Sequence, residues 1–388
     1  MTSSELSRRR LLKYGGSAIA GASVLRITGP TAAFQGDAAA EVIPWSDPPE
    51  ANPVPEAIVR QLDWEQLDSW LTPIDEHFAI KHFSEPALTE ADWKLEVNGL
   101  VETPLSLTLA DIKSRERQEV TFAMECSGNS GFPFFIGGVS NATWGGTALA
   151  PLLEEAGVLD EGIEVVFWGA DAGEQTWRDE ITFTEHFARS MSVSDAMSEG
   201  KLLVYEMNGE PLPSLHGFPL RLIAPGWYGV ANVKWLTRIE VMDRRYQGFF
   251  MARDYVTIRE LEEGGESTWT LTSVTHARIK SAPAKVLKSG EQYSIMGAAW
   301  GAPIATVEVR IDDGEWLPAT IVEGEGSEYA WVFWTLDWDA PTAGEHEITS
   351  RATDAEGNVQ PAPDDPFLAG KKTYWESNGH ITRHITIE

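Results

Sequence analysis

The sequence predicts an α+β chain, with a mixed α/β domain followed by an immunoglobulin-like β-sandwich. Three observations carry this. From about Asp92, short helical and strand patterns interleave. Beyond "RELEEGGEST" the pattern is nearly all short strands with turn signals between them. The 16 tryptophans of this 388-residue chain fall largely in alternating runs such as "YAWVFWTLDW", which suits packed sheet. The expected division is residues 1–40 as a leader, 41–265 as the mixed domain and 266–388 as the sandwich.

In chain order, "SRRRLLKYGGSAIAGASVL" opens with paired arginines and an apolar Gly/Ala stretch too short to span a bilayer comfortably. It resembles a twin-arginine export signal, with Ala38-Ala39-Ala40 as a cleavage site or an uncleaved anchor as the alternative. Export of an already folded, periplasmic or extracytoplasmic protein follows, and no other segment suits membrane crossing. "IPWSDPPEANPVPE" reads as an extended surface segment. "WKLEVNGLV" is a strand and turn. "LTLADIKSR" and "TALAPLLEEAG" are short helices, the second ending at Gly157. "EVVFWGAD" is a buried strand, and "KLLVYEMNGEPLP" a strand with an Asn-Gly turn. In the sandwich, "ATVEVRIDDGEWLPA" puts Val307, Val309 and Ile311 on one face, and "HEITSRATDAEGN" and "ITRHITIE" alternate similarly.

Composition excludes several function classes. The formal net charge of −29 repels nucleic acid and anionic membranes. It suits a halophilic source, where salt screens self-repulsion. The single cysteine excludes a disulfide within the chain, a protein-bound iron–sulfur cluster and a CxxCH haem attachment.

That cysteine, Cys126, lies in "FAMECSGNSG". It follows a strand-like run and enters a turn of small residues, where ligands are commonly held. A small hydrophobe at a strand end is the equal alternative. The Gly/Pro-rich stretch "NGEPLPSLHGFPLRLIAPGWYGVANVKWL" brings His216, Arg221 and Lys234 into one loop, a set suited to an anionic group such as phosphate. A third stretch, "FMARDY", holds Tyr255. Taken without these together, Cys126 and His216 could form a hydrolase pair, or the sandwich could be an adhesion module.

The three stretches in this order, with "TPIDEHFAIKHF", "DWKLEVNGLVETPLSLTLADI", "ATWGGTAL", "GAAWGAPIATVEVRIDDGEW" and "ATDAEGNVQP", resemble the sulfite oxidase family of molybdopterin-dependent oxidoreductases. The resemblance implies a molybdenum–molybdopterin cofactor (Moco) and a C-terminal domain that forms a homodimer. It implies Cys126 as thiolate ligand of the metal and Tyr255 as active-site tyrosine. His82, Asp171, His216, Arg221 and Lys234, with backbone of Asn232 and Val233, would hold the pterin. Two-electron oxidation of sulfite or a related sulfur compound is implied, with electrons passed to a separate acceptor such as a c-type cytochrome.

The chain departs from the family pattern where cations are expected around the substrate. Ile80, beside Lys81, stands in place of one arginine, and Ala302 or Pro303 in place of another. Ser130-Gly131-Phe132 follows the cysteine motif, and Phe132, Phe134 and Phe135 make the neighbourhood apolar. The alternative is the same cofactor and fold with another substrate: sulfane sulfur, or an S- or N-oxide taken in the reductive direction.

Overall fold

A computed structural model describes residues 40–388; the leader lies outside the described residues. In the first domain, one antiparallel sheet runs in the order Glu210–Pro211, Leu202–Met207, Val139–Ala148, Arg117–Glu125, with Arg221–Ile223 also paired to Leu202–Met207. A second sheet orders Leu105–Leu107, Leu95–Gly99, Leu236–Met242, Glu164–Trp177, Ile181–Ser192. Its strands are antiparallel except where Leu95–Gly99 runs parallel to Leu236–Met242.

Helices cover these sheets where the sequence places them. Thr108 and Asp111 form a reciprocal capping box that starts the helix Leu109–Lys113, satisfying two otherwise orphaned donors. The helix Leu149–Ala156 buries Leu149, Leu152, Leu153 and Ala156, the i, i+3, i+4, i+7 set of one helical face. It stops at Gly157, whose φ of +69° is left-handed and costs glycine nothing.

The C-terminal half is a sandwich. One sheet orders Glu41–Ile43, Lys280–Ser289, Gln292–Trp300, Val332–Trp338, Thr320–Glu323; the other orders Leu317–Pro318, Ile304–Ile311, Gly344–Asp354, Ile381–Ile387. Val286, Ile295, Trp334, Val309, Ile348 and Ile385 fill the space between them. Val307 and Val309 are buried as the alternation requires, with Ile311 partly buried beside them.

The tryptophans have a second use. The five-stranded sheet of the sandwich is covered on its other face too, where Trp300, Trp331 and Phe333 pack with Trp64, Leu67, Ala123 and Val139. Trp64 stacks on Trp300 with ring centroids 5.8 Å apart. Trp70 and Trp331 each donate an indole N–H to the other's carbonyl, at 3.0 and 2.9 Å. Large aromatic burial of this kind fixes the two halves against each other.

The segment expected on the surface from Ile43 follows a short strand and is tied down at its start. Glu41–Ile43 pairs with Val286–Lys288, Trp45 bridges Ile385, and the Trp45 indole donates to the Ala284 carbonyl at 2.9 Å. Ser46 N–H donates to His384 O at 2.7 Å, and Asp47 pairs with Arg383 at 3.1 Å. Only the proline-rich part beyond it runs extended and largely exposed. A hairpin, Val256–Glu263 with Glu266–Ser273, crosses the position expected for the domain boundary. Among the described residues, no helix is long and apolar enough to cross a membrane.

Candidate active site

Cys126 follows the strand Arg117–Glu125 and lines a cleft in the first domain. Its N–H donates to Gly138 O at 2.8 Å and its carbonyl accepts from Asn129 N at 2.9 Å, which ties the turn tightly. The residue is 8% exposed. Burial pushes the thiol up to about 12, so a cation must be its partner before it serves as a thiolate.

The same cleft is lined by His82, Asp171, His216, Arg221, Asn232, Lys234 and Tyr255. His216, Arg221, Asn232 and Lys234 come from one loop-rich stretch, and His82, Asp171 and Tyr255 reach it from separate parts of the chain. Asp171 sits in a β-bulge between Trp168 and Ala172, an interruption that re-aims a side chain. Its carboxyl is buried, its Oδ1 has no partner among the described residues, and burial raises it to about 6. Arg221 donates to His216 O and Asn232 O, both at 2.9 Å, and its Nε has no partner. Lys234 donates to Ile80 O at 2.9 Å and Leu215 O at 3.0 Å. Burial lowers Arg221 to about 9 and, with Arg221 as like-charged neighbour, Lys234 to about 7. Buried Arg221 and half-buried Lys234, neither ion-paired to a carboxylate among the described residues, fit an anion better than they fit each other.

The histidines are neutral acceptors and donors. Burial depresses His82 to about 3 and His216 to about 2, helped by Lys234 near the first and His77 near the second. His82 Nε2 lies 2.6 Å from Tyr255 Oη, which joins two of the expected site residues directly. Asn232 is spent on the loop itself: its Oδ1 accepts from Ala224 N at 2.7 Å and its Nδ2 donates to Tyr228 O at 3.1 Å. Val233 does not line the cleft. Its N–H donates to Ala231 and its carbonyl accepts from Leu222.

Several residues were not legible as site residues. Behind Cys126, Glu125 accepts from Lys280 Nζ at 2.5 Å, Asn129 Nδ2 at 2.9 Å and Trp300 Nε1 at 2.9 Å. Lys280 and Trp300 belong to the sandwich, and all of these side chains are buried. His77, beside His216 with ring centroids 5.2 Å apart, also lines the cleft. Above the cysteine turn, Thr373–Asn378 forms a roof. Trp375 stacks on Tyr255 at 4.3 Å, and Glu376 N–H donates to Ser127 O at 2.7 Å. A Cβ at Gly131 would lie 2.7 Å from Tyr374 O, so that roof occupies the space a longer residue needs.

The expected apolar and missing-cation positions resolve unequally. Ile80 and Lys81 line the cleft. Ala302 packs on the sandwich core, and neither it nor Pro303 reaches the cleft. Phe132 and Phe134 stack on each other at 5.0 Å, outside the cleft. Phe132 meets the roof at Tyr374, 4.3 Å away, and Phe135 packs under the turn near Gly128.

Sequence comparison agrees with this geometry. Residues 82–250 match the oxidoreductase molybdopterin binding domain, and residues 266–379 the Mo-co oxidoreductase dimerisation domain. The sulfite oxidase of Gallus gallus is 31% identical over 332 residues, covering 76% of this chain and 69% of that protein. The chain belongs to the sulfite oxidase family. The mitochondrial sulfite oxidase of Drosophila melanogaster is also 31% identical, over 82% of this chain, and here the chain spans 61% of the relative's length. Nitrate reductase of Ulva prolifera is 28% identical over 76% of the chain, which spans 38% of it. In three dimensions the chain is similar to the sulfane dehydrogenase SoxCD from Paracoccus pantotrophus, with a TM-score of 0.72, 26% identity and 96% of both chains covered.

Proposed function

We propose that this chain is a molybdenum-cofactor oxidoreductase that oxidises sulfite or a related sulfur compound by two electrons and passes the electrons to a separate acceptor such as a c-type cytochrome. The observation that carries the reading is one cleft holding a buried thiol, the His82–Tyr255 pair and the unpaired cations Arg221 and Lys234. The donor set fits a phosphorylated heterocycle bound to a soft metal. Cys126 would be the thiolate ligand. Arg221 and Lys234 would hold the anionic end, with His82, His216 and Asp171 supplying directed hydrogen bonds. When bound, such a cofactor supplies the two-electron redox change and oxygen-atom transfer. Tyr255, held by His82 on one side and Trp375 on the other, presents its hydroxyl to a substrate oxygen. The stacked roof keeps bulk water from that face.

A second reading concerns the substrate. Ile80 puts an apolar group in the cleft wall. A free dianion then lacks bidentate partners, whereas sulfane sulfur borne on a larger carrier does not need them. Similarity to a sulfane dehydrogenase supports that alternative.

The paired arginines of the leader support export through the twin-arginine route to an extracytoplasmic compartment. The C-terminal domain supports a homodimer, and the charge of −29 a halophilic source. Metal analysis tests the central reading: one molybdenum per chain is expected, and none would overturn it. A carrier-borne sulfane and sulfite, compared with an artificial electron acceptor, then decide between the substrates. Light scattering in low and high salt reads the dimer.

A further inference from the structure

Arg189 lies in the strand Ile181–Ser192, is 1% exposed, and has no part in the roles above. Among the described residues no carboxylate pairs with it. One guanidinium nitrogen donates to Phe250 O and another to Val274 O, and its Nε has no partner. These carbonyls are not arbitrary. Phe250 lies in the helix Phe249–Ala252 that leads into Tyr255. Val274 donates its own N–H to Tyr255 O at 3.0 Å. The fork therefore grips the tyrosine segment from both flanks. Its charge centre lies 5.9 Å from the Tyr255 ring. Phe187, two residues earlier on that strand, stacks on His82 at 4.8 Å.

We propose that Arg189 is a positioning residue: it holds Tyr255 from behind at two carbonyls, and its fixed positive charge attracts the anion whose usual cationic partners this cleft lacks. This rests on reading the cleft as an oxyanion-oxidising site. Burying a cation without a carboxylate partner is costly. A purely structural clamp on two carbonyls could be uncharged. Burial lowers Arg189 only to about 10, so it stays cationic at neutral pH. Its charge reaches the cleft at His82, which it helps to keep neutral, beside the Phe187–His82 stack. Long-range attraction of this kind is strong where water is excluded.

The test compares Arg189→Lys and Arg189→Met holoenzymes with the wild type in three measurements. These are the affinity of the resting enzyme for inorganic sulfate by calorimetry, the kcat and KM for sulfite, and amide exchange over residues 249–256. Arg189→Lys is expected to keep sulfate affinity within about threefold while exchange rises and kcat falls, because the charge stays and the fork is lost. Arg189→Met is expected to lose roughly tenfold in sulfate affinity as well. If Met does not fold, Lys alone decides: unchanged exchange and kcat overturn the proposal. A folded Met variant with wild-type sulfate affinity overturns it too. Sulfate binding and exchange are read without turnover, so a wild-type enzyme that binds sulfate through Arg189 but does not oxidise sulfite would fault the functional reading and leave this one standing.

Discussion

Ile80 offers its carbonyl to Lys234 and its side chain to the cleft wall. Ile80→Arg keeps the first interaction and adds a charge-assisted donor. The apparent KM for sulfite is expected to fall by roughly tenfold, with the gain fading as salt rises; steady-state kinetics at two ionic strengths reads this, and an unchanged KM in a folded, molybdenum-loaded variant would count against it. The Glu125–Lys280 pair gives a sharper case. Lys280→Met leaves a carboxylate buried with only the Asn129 and Trp300 donors, at an expected loss of about 3–5 kcal/mol. Adding Glu125→Gln should recover much of that in denaturant titrations, and failure of the double variant to do so would show that lost packing, not the stranded charge, is responsible. Cys126, His82, Asp171, His216, Arg221, Lys234 and Tyr255 were legible because motif residues advertise them. Arg189 and Lys280 were not. Each sits in an ordinary strand pattern, and only the tertiary fold brings Arg189 to the carbonyls of Phe250 and Val274 and Lys280 to Glu125.

At the scale of elements, Thr373–Asn378 packs over the cysteine turn and, through Trp375, on Tyr255. Sequence periodicity found the strands, the helix ending at Gly157 and the alternation of Val307 and Val309, since these are local properties. It could not find the roof, which has no regular pattern and is placed by single contacts: Trp375 Nε1 to Asp254 O at 2.7 Å, Lys371 Nζ to Trp375 O at 2.9 Å. It also assigned the lead-in to the surface, because a three-residue strand beside prolines carries no period of its own. Gly131→Ala tests the roof. The added methyl meets backbone on both sides, which gives little, so a loss of about 1–3 kcal/mol is expected. A variant as stable as the wild type would mean that the roof moves aside freely.

For the whole molecule, pH and salt act through different groups. His77, His82 and His216 are held near 3, 3 and 2 chiefly by burial. Between roughly 6.5 and 3 the unfolded chain therefore binds more protons at these sites, and stability falls as pH falls. Asp171, raised to about 6, works oppositely between its ordinary range and 6, one group against three. Lys234, lowered to about 7, adds stability as pH rises from 7 toward its ordinary value. Protein free of cofactor should thus melt at a lower temperature at pH 5 than at pH 7, by calorimetry; equal values would contradict the buried neutral imidazoles. Added salt should raise the melting temperature, since a charge of −29 repels itself and screening relieves it.

The contact between Trp45 and Ile385 has a consequence in time. Residues 41–47 leave the ribosome long before their partners at 381–387 exist. The sandwich can close, and the lead-in can lock through Ser46, Asp47 and Arg383, only after synthesis has passed the last strand. A chain truncated before residue 381 lacks those partners, and Trp45, buried in the folded molecule, then loses its bridge to Ile385. Protease cutting near Trp45 should therefore be faster in such a truncated chain than in the 388-residue one.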